Sequence, residues 1–346
     1  MRHKAEVQSV VWRAALPVVC AACWLLCAAP AHGSANFGRE VLQKDSLYHR
    51  IYVYQRGSVM TLRFACADPY IIQSSVDLAN PRRHMNEYTT LSFAGLLYNP
   101  EPARMLVVGL GGGVIPQDVH HYLPDLPIDV AEIDPDIPPI AEKYFGFRAD
   151  QKMRVHVADG RVFIRQQSRR EPPTRYDIIV LDAFQGEYIP FHLMTREFME
   201  EVKGALTEGG VVVANVIQSN RLAHAELRTV QEVFDGCQVF AGERSTNAMI
   251  VGFGPGVSAL TPQTARERAA ELQRKHAFGF DVRTVARRLV VRPRADPDAK
   301  VLTDDQAPVN WLRWQGDDVP LGEPDAPDEE PESDPEEDPT AGEGEQ

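Results

Sequence analysis

The sequence predicts an α/β protein: a doubly wound, mainly parallel sheet with a small β-rich amino-terminal lobe. Three observations predict it. From Arg104 onward, short Val/Ile/Leu runs alternate with amphipathic stretches, the rhythm of a parallel sheet covered by helices on both faces. The first of these runs ends in Gly109-Leu110-Gly111-Gly112-Gly113, four glycines in five positions. Upstream, "YHRIYVYQRGSVMTLRF" (48–64) alternates apolar and polar residues about Arg56-Gly57, as a hairpin does.

Taken in order, residues 1–35 read as a secretory signal or a membrane anchor. Arg2, Lys4 and Arg13 make a basic start, "AALPVVCAACWLLCAA" an apolar run, and Ala29-Pro30-Ala31 a cleavage option. The run is short for a membrane span. Residues 36–86 form the small lobe, with "DPYIIQSSVDLANP" continuing the hairpin as strand and then loop. "EYTTLSFAGLLY" (87–98) has the spacing of one helix and opens the larger domain, 87–315. Its strands are predicted at 105–109, 128–133, 154–158, 176–182 and 210–217. Helices are predicted after Val114, after Asp136, and across 160–168, 195–206 and 222–234. An antiparallel pair, "CQVFAG" and "NAMIVGF", closes the sheet before a helix over 261–276.

The net charge of −13 is local, because fourteen Asp and Glu and no Lys or Arg fall between Gly316 and Gln346. That tail has too few apolar residues to offset its ordering entropy, so 316–346 reads as a disordered, solvating segment. The remaining body is close to neutral. It has no basic stripe and no aromatic-interleaved Lys/Arg run, which argues against a nucleic-acid partner. Of five cysteines, Cys20, Cys23 and Cys27 lie in the leader, while Cys66 and Cys237 read as separate buried thiols. No metal-ligand spacing occurs, so no metal is expected.

Ligands of a doubly wound sheet sit beyond the carboxyl ends of its strands, where the connections change direction. The candidates are therefore the residues at those ends. Bare backbone at Gly109, Gly111 and Gly113 lets a ligand approach the chain. Glu132 follows Gly109 by 23 positions, near the spacing at which a carboxylate accepts from ribose hydroxyls. In "IDPDIPP" the prolines suit a first helical turn, which Asp134 or Asp136 can cap. Asp159-Gly160 ends the third strand, where a carboxylate can accept from an adenine amino group. Asp182 ends the fourth and faces the crevice, able to orient a nucleophile or take its proton. Asp177, at the start of the same strand, reads as a structural turn residue. Neither a P-loop lysine nor a Ser-centred elbow is present. Acids at successive strand ends without a pyrophosphate cradle suit an adenosyl sulfonium donor.

In the order and spacing of "YIIQSS", "MLVVGLGGG", "DVAEIDPD", "RVHVADGRVFI", "YDIIVLDAF" and "TDDQAPVNWL", the chain resembles the spermidine synthase family of polyamine aminopropyltransferases. The likeness is to its divergent branch and covers roughly residues 48–255. It implies a Rossmann-like, methyltransferase-type domain beside the small lobe, and assembly as a dimer or tetramer, with a homodimer as the expectation. The implied reaction moves aminopropyl from decarboxylated S-adenosylmethionine to an amine such as putrescine, leaving methylthioadenosine. By position, Gln73 would contact the nucleoside, Glu132 its ribose, and Asp159 with Gly160 its adenine. Asp182 would be the catalytic Asp, and Tyr88 and Gln185 would border the amine.

Two departures from the family pattern stand out. Gly112 occupies the place of an Asp that binds the donor's ammonium, and Gln185 that of a second carboxylate that helps hold the diamine. Each loss weakens cation binding by about 1.5–3 kcal/mol in a desolvated site. Glu87, Glu187 and Asp304 are the candidates to compensate.

Three functional expectations follow: aminopropyl transfer to an amine, methyl transfer from intact S-adenosylmethionine, or nucleoside binding without turnover. An exported enzyme would be cut off from a cytosolic sulfonium supply. The leader therefore either anchors a cytoplasm-facing domain, or precedes a true start further downstream, or belongs to a protein that has left the ancestral reaction.

Overall fold

The computed structural model describes residues 37–65, 71–186, 188–219 and 221–308, with 312, 321, 322 and 324. The leader with Cys20, Cys23 and Cys27, then Cys66, Glu187 and nearly all of the acidic tail lie outside these residues. Cys237 is a half-buried free thiol.

The amino-terminal lobe is an antiparallel sheet in the order β1 (Arg39–Asp45), β2 (Arg50–Arg56), β3 (Val59–Phe64), β4 (Ser74–Asp77). The predicted hairpin is β2–β3, paired from Ile51↔Phe64 to Arg56↔Val59 around Gly57. The first strand was not expected: Arg39–Asp45 is polar and mostly exposed, so it carries no apolar alternation to announce it.

Apolar runs become the parallel strands β5 (Met105–Val108), β6 (Ile128–Glu132), β7 (Met153–Val157), β8 (Tyr176–Leu181) and β9 (Leu206–Ile217), largely buried except for the edge strand β7. Antiparallel β10 (Gly236–Ala241), β11 (Asn247–Phe253) and the short β12 (Leu289–Val290) complete the sheet. Its order is β12-β10-β11-β9-β8-β5-β6-β7. From β5 the chain builds outward through β6 and β7, then returns to lay β8 on the other flank of β5. The connection reverses between β5 and β8, and that is where a crevice opens.

Helices α1 (Glu87–Leu91), α2 (Ala94–Tyr98), α3 (Val114–Tyr122), α4 (Ile137–Tyr144) and α8 (Pro262–His276) cover one face. On the other lie α5 (Gly160–Ser168), α6 (Arg196–Ala205) and α7 (Arg221–Val233). A four-residue α9 (Arg283–Ala286) precedes β12. Period-two alternation sorts the strands between the layers. Val107, Val180, Val211 and Val213 join the first core, together with Ile51, Val53 and Leu62 of the small lobe. Leu106, Val108, Leu181 and Ala214 join the second.

Local chemistry sets several helix starts. Thr195 caps α6, and Thr261 with Thr264 forms a reciprocal capping pair ahead of Pro262 in α8. Two expectations are corrected. The stretch 87–98 is not one helix but α1 and α2, broken at Ser92-Phe93. Phe93 turns into an aromatic cluster with Tyr122, Phe278 and Phe280, and that packing overrides the local periodicity. Asp136, at the N-cap of α4, makes no side-chain cap bond and pairs with Lys44 at 2.6 Å. Asp134 instead serves the turn that leads into the helix, its Oδ1 accepting from the Asp136 N–H at 3.0 Å and its Oδ2 from Ser46 at 2.5 Å.

Candidate active site

The reversal between β5 and β8 places the glycine turn against Asp182. The Asp182 backbone N–H donates to the Val108 carbonyl at 2.8 Å. Gly109 has φ of 96°, and a Cβ there would lie 2.3 Å from the Asp182 carbonyl oxygen. Glycine alone lets β5 leave the sheet so close to the end of β8. The resulting crevice is bounded by the strand ends and the small lobe, and Gly109, Gly111, Glu132, Asp159, Gly160 and Asp182 all border it. Gln73, Tyr88 and Gln185 border it from the lobe, α1 and the segment after β8.

Gly113, predicted to touch the cofactor, does not border the crevice. It sits at the start of α3 with φ of 76°, where a Cβ would lie 2.5 Å from the Phe147 ring. Its bareness serves packing. Gly160 has a packing reason as well, since a Cβ there would meet Val108 at 2.3 Å.

Glu132 is buried and already braces the backbone. Oε2 accepts from the Leu110 N–H at 2.9 Å and Oε1 from that of Asp134 at 2.8 Å. Burial pushes its carboxyl up, and these N–H donors oppose the rise. Each oxygen keeps a further acceptor position that a ribose hydroxyl can use. Asp159 is divided between two tasks. Oδ1 caps α5 by accepting from Val162 N–H at 2.9 Å, and Oδ2 lies 2.8 Å from His192 Nε2. The His192 contact holds this carboxyl below the ordinary range, against the effect of partial burial.

Asp182 has a raised proton affinity. Its Oδ1 accepts from Asn215 Nδ2 at 2.7 Å, and Asn247 Nδ2 donates in turn to Asn215 Oδ1 at 2.9 Å. Burial pushes the Asp182 carboxyl up to about 7, with the Asn215 donor pulling the other way. Tyr88 is buried alongside. Its hydroxyl donates to the Gln73 carbonyl at 2.7 Å, and burial and the charge of Asp182 push the phenol up, so it stays protonated. The Gln73 side chain donates to the Gly186 carbonyl at 2.9 Å, and Gln185 Oε1 accepts from Tyr188 at 3.2 Å. These two glutamines tie down the segment that follows β8.

The departure at Gly112 is built into the packing. A Cβ there would lie 2.9 Å from both the Phe145 ring and Ser74 Cβ, and the Gly112 N–H donates to Ser74 Oγ at 2.9 Å. Two expected compensators are used elsewhere, which corrects that expectation. Glu87 accepts from the backbone N–H groups of Glu243, Arg244 and Ser245 at 3.0, 2.8 and 3.0 Å. Asp304 bonds Arg161 and Thr195, each at 2.7 Å, and the Arg161 contact lowers its carboxyl to about 2. Asp177 is structural as expected, accepting from the Ala103 and Arg104 N–H groups at 2.8 and 2.9 Å.

Sequence reasoning missed Asn215, Asn247 and His192. Asn215 left a signal, as a polar residue inside "VVVANVI", whereas Asn247 and His192 left none. Among the described residues, no cluster of three or more His, Cys, Asp or Glu side chains is arranged to hold a metal.

Fold and crevice together define a class: Rossmann-like α/β proteins of the methyltransferase type, with a crevice at the switch point. Residues 86–250 match the Spermine/spermidine synthase domain. A polyamine aminopropyltransferase of Vibrio vulnificus is 34% identical over 296 residues, covering 84% of this chain and 96% of that protein. The chain belongs to the spermine/spermidine synthase family, and it is a transferase. A bovine eEF1A lysine and N-terminal methyltransferase is 36% identical over 133 residues, which cover 35% of this chain and 19% of that protein. A spermidine synthase solved with the transition-state analogue AdoDATO shares the fold, with a TM-score of 0.55 at 18% identity over 72% of this chain and 83% of that one.

Proposed function

We propose that the protein transfers an aminopropyl group from decarboxylated S-adenosylmethionine to an amine acceptor, with Asp182 accepting the proton. The observation that carries this reading is the Asp182 carboxyl, half-buried at the crevice beside the glycine turn and held by Asn215. The acceptor nitrogen attacks the methylene next to sulfur. A C–N bond forms, the C–S bond breaks with its electron pair going to sulfur, and methylthioadenosine leaves. The nitrogen gains positive charge in this step and passes a proton to Asp182. A carboxylate whose proton affinity burial has raised to about 7 takes that proton more readily than an exposed one. Holding the amine in line with an already activated carbon supplies much of the remaining acceleration.

Glu132 and Asp159 support binding of the donor's ribose and adenine, and the AdoDATO complex of a fold relative supports the donor class. Calorimetric titration with both sulfonium donors tests the reading. Tighter binding of the decarboxylated donor is expected, and preference for the carboxylated one overturns the proposal. A second reading, methyl transfer from intact S-adenosylmethionine, is favoured by the filled space at Gly112 and by the methyltransferase relative. Family membership supports a homodimer, which a sedimentation measurement checks. The leader supports export or anchoring, which the mass of the mature amino terminus checks.

A further inference from the structure

We propose that Asn215 and Asn247 form a polarised amide relay that positions the Asp182 carboxylate, with Asn247 deciding which way Asn215 faces. The inference rests on the transferase reading above and adds two positioning residues to it. The two ends of a carboxamide have nearly the same shape, so packing alone does not choose between Asn215 and its flipped form. Hydrogen bonding does. With Nδ2 toward Asp182 and Oδ1 toward Asn247, both contacts are donor-to-acceptor, at 2.7 and 2.9 Å. The flipped form would set Oδ1 against a carboxylate oxygen and one NH2 against the other. Asn247 removes that alternative, and because Asn215 is buried the flipped form would leave polar atoms unpaired in the interior.

Asn247 is itself held from α1. It begins β11, its N–H donates to Ser245 Oγ at 3.4 Å, and its carbonyl accepts from Gly242 N–H at 3.0 Å. The turn just before it is the one whose three consecutive N–H groups close on the Glu87 carboxylate, a backbone nest filled by a side-chain anion. Glu87 and Tyr88 are adjacent on α1. One helix turn thus holds the turn that feeds Asn247 and also supplies the phenol beside Asp182. Among the described titratable groups on the surrounding elements, Tyr88 on α1 is coupled to Asp182 and stays protonated. Glu132 on β6 is taken up by the Leu110 and Asp134 N–H groups.

The test is a carbon-13 NMR titration of protein labelled at the aspartate carboxyls, with the Asp182 signal assigned by its loss in Asp182→Asn. It needs neither donor nor turnover. The wild-type midpoint is expected near 7. Asn215→Leu is expected to raise it by about one pH unit, and Asn247→Leu, which acts only through Asn215, by about half a unit. Thr246→Ala, in the same turn but outside the relay, leaves the midpoint in place. Asn247 is only half buried, so its variant should fold even where the Asn215 variant does not. An unchanged midpoint in Asn247→Leu, or an equal rise in Thr246→Ala, overturns the relay. If the shifts appear but no sulfonium donor is turned over, the relay stands and the transferase reading falls.

Discussion

Asp182 is half-buried and Glu226 buried, and desolvation raises both carboxyls, to about 7 and about 8. What meets them differs. Asp182 bonds Asn215, on the face of β9 shared with Val211 and Val213, and borders the crevice. Glu226 projects from α7 into the other layer, where it lines a small apolar cavity with Leu181, Ala214 and Ile250. Desolvation acts on it unopposed. Burial therefore sets proton affinity without regard to use. A fixed donor and an open path to a ligand separate the working carboxyl from the one that only costs stability.

The sharpest way to break this contrast is Asp182→Asn. Its kcat/KM should fall by about 10²–10⁴-fold in a transfer assay. Full turnover would remove Asp182 from the mechanism. Wild-type activity should also decline as pH falls through about 7, because only the ionised carboxylate can take the proton.

Glu226→Gln should do the opposite, leaving kcat/KM unchanged while stabilising the fold at alkaline pH. In the unfolded chain this glutamate ionises near 4.5, whereas in the fold it stays protonated to about 8. Its folded pKa lies above its unfolded one, so its effect is absent below 4.5 and stability drains away as pH rises to about 8. The loss is about 5 kcal/mol as an upper bound. Urea unfolding at pH 5 and pH 9 should show the variant gaining only at pH 9. An equal gain at both would place the cost in packing rather than charge.

Adding a carboxyl where none exists sharpens the comparison further. Gly112→Asp must displace Phe145 or Ser74 and should cost about 1–3 kcal/mol in thermal unfolding without tightening the decarboxylated donor. A gain in affinity would show that this wall yields. The smallest effect belongs to Glu87→Gln, a third carboxylate, fixed by backbone donors at the rim. Losing its charge should cost about 1 kcal/mol of stability, read as a shift of a few degrees in Tm.

The order of strands and helices, the hairpin, and the candidate carboxylates at the ends of β6, β7 and β8 were legible from the residues alone. Periodicity and strand-end position are local properties, and the switch-point rule converts them into a crevice. The likeness in the ordered motifs then indicated the chemistry. Contacts between residues far apart in the chain decided the rest. Phe93 broke a helix that its own neighbours favoured, because Phe278 and Phe280 arrive from nearly two hundred positions away. Glu87 and Asp304 looked like free anions until backbone N–H groups and Arg161 claimed them. Asn215 and Asn247 had no visible task until β9 and β11 were paired side by side. Sequence separation hides such partners, since a side chain's hydrogen bonds are set by whatever the folded backbone brings within three ångströms or so.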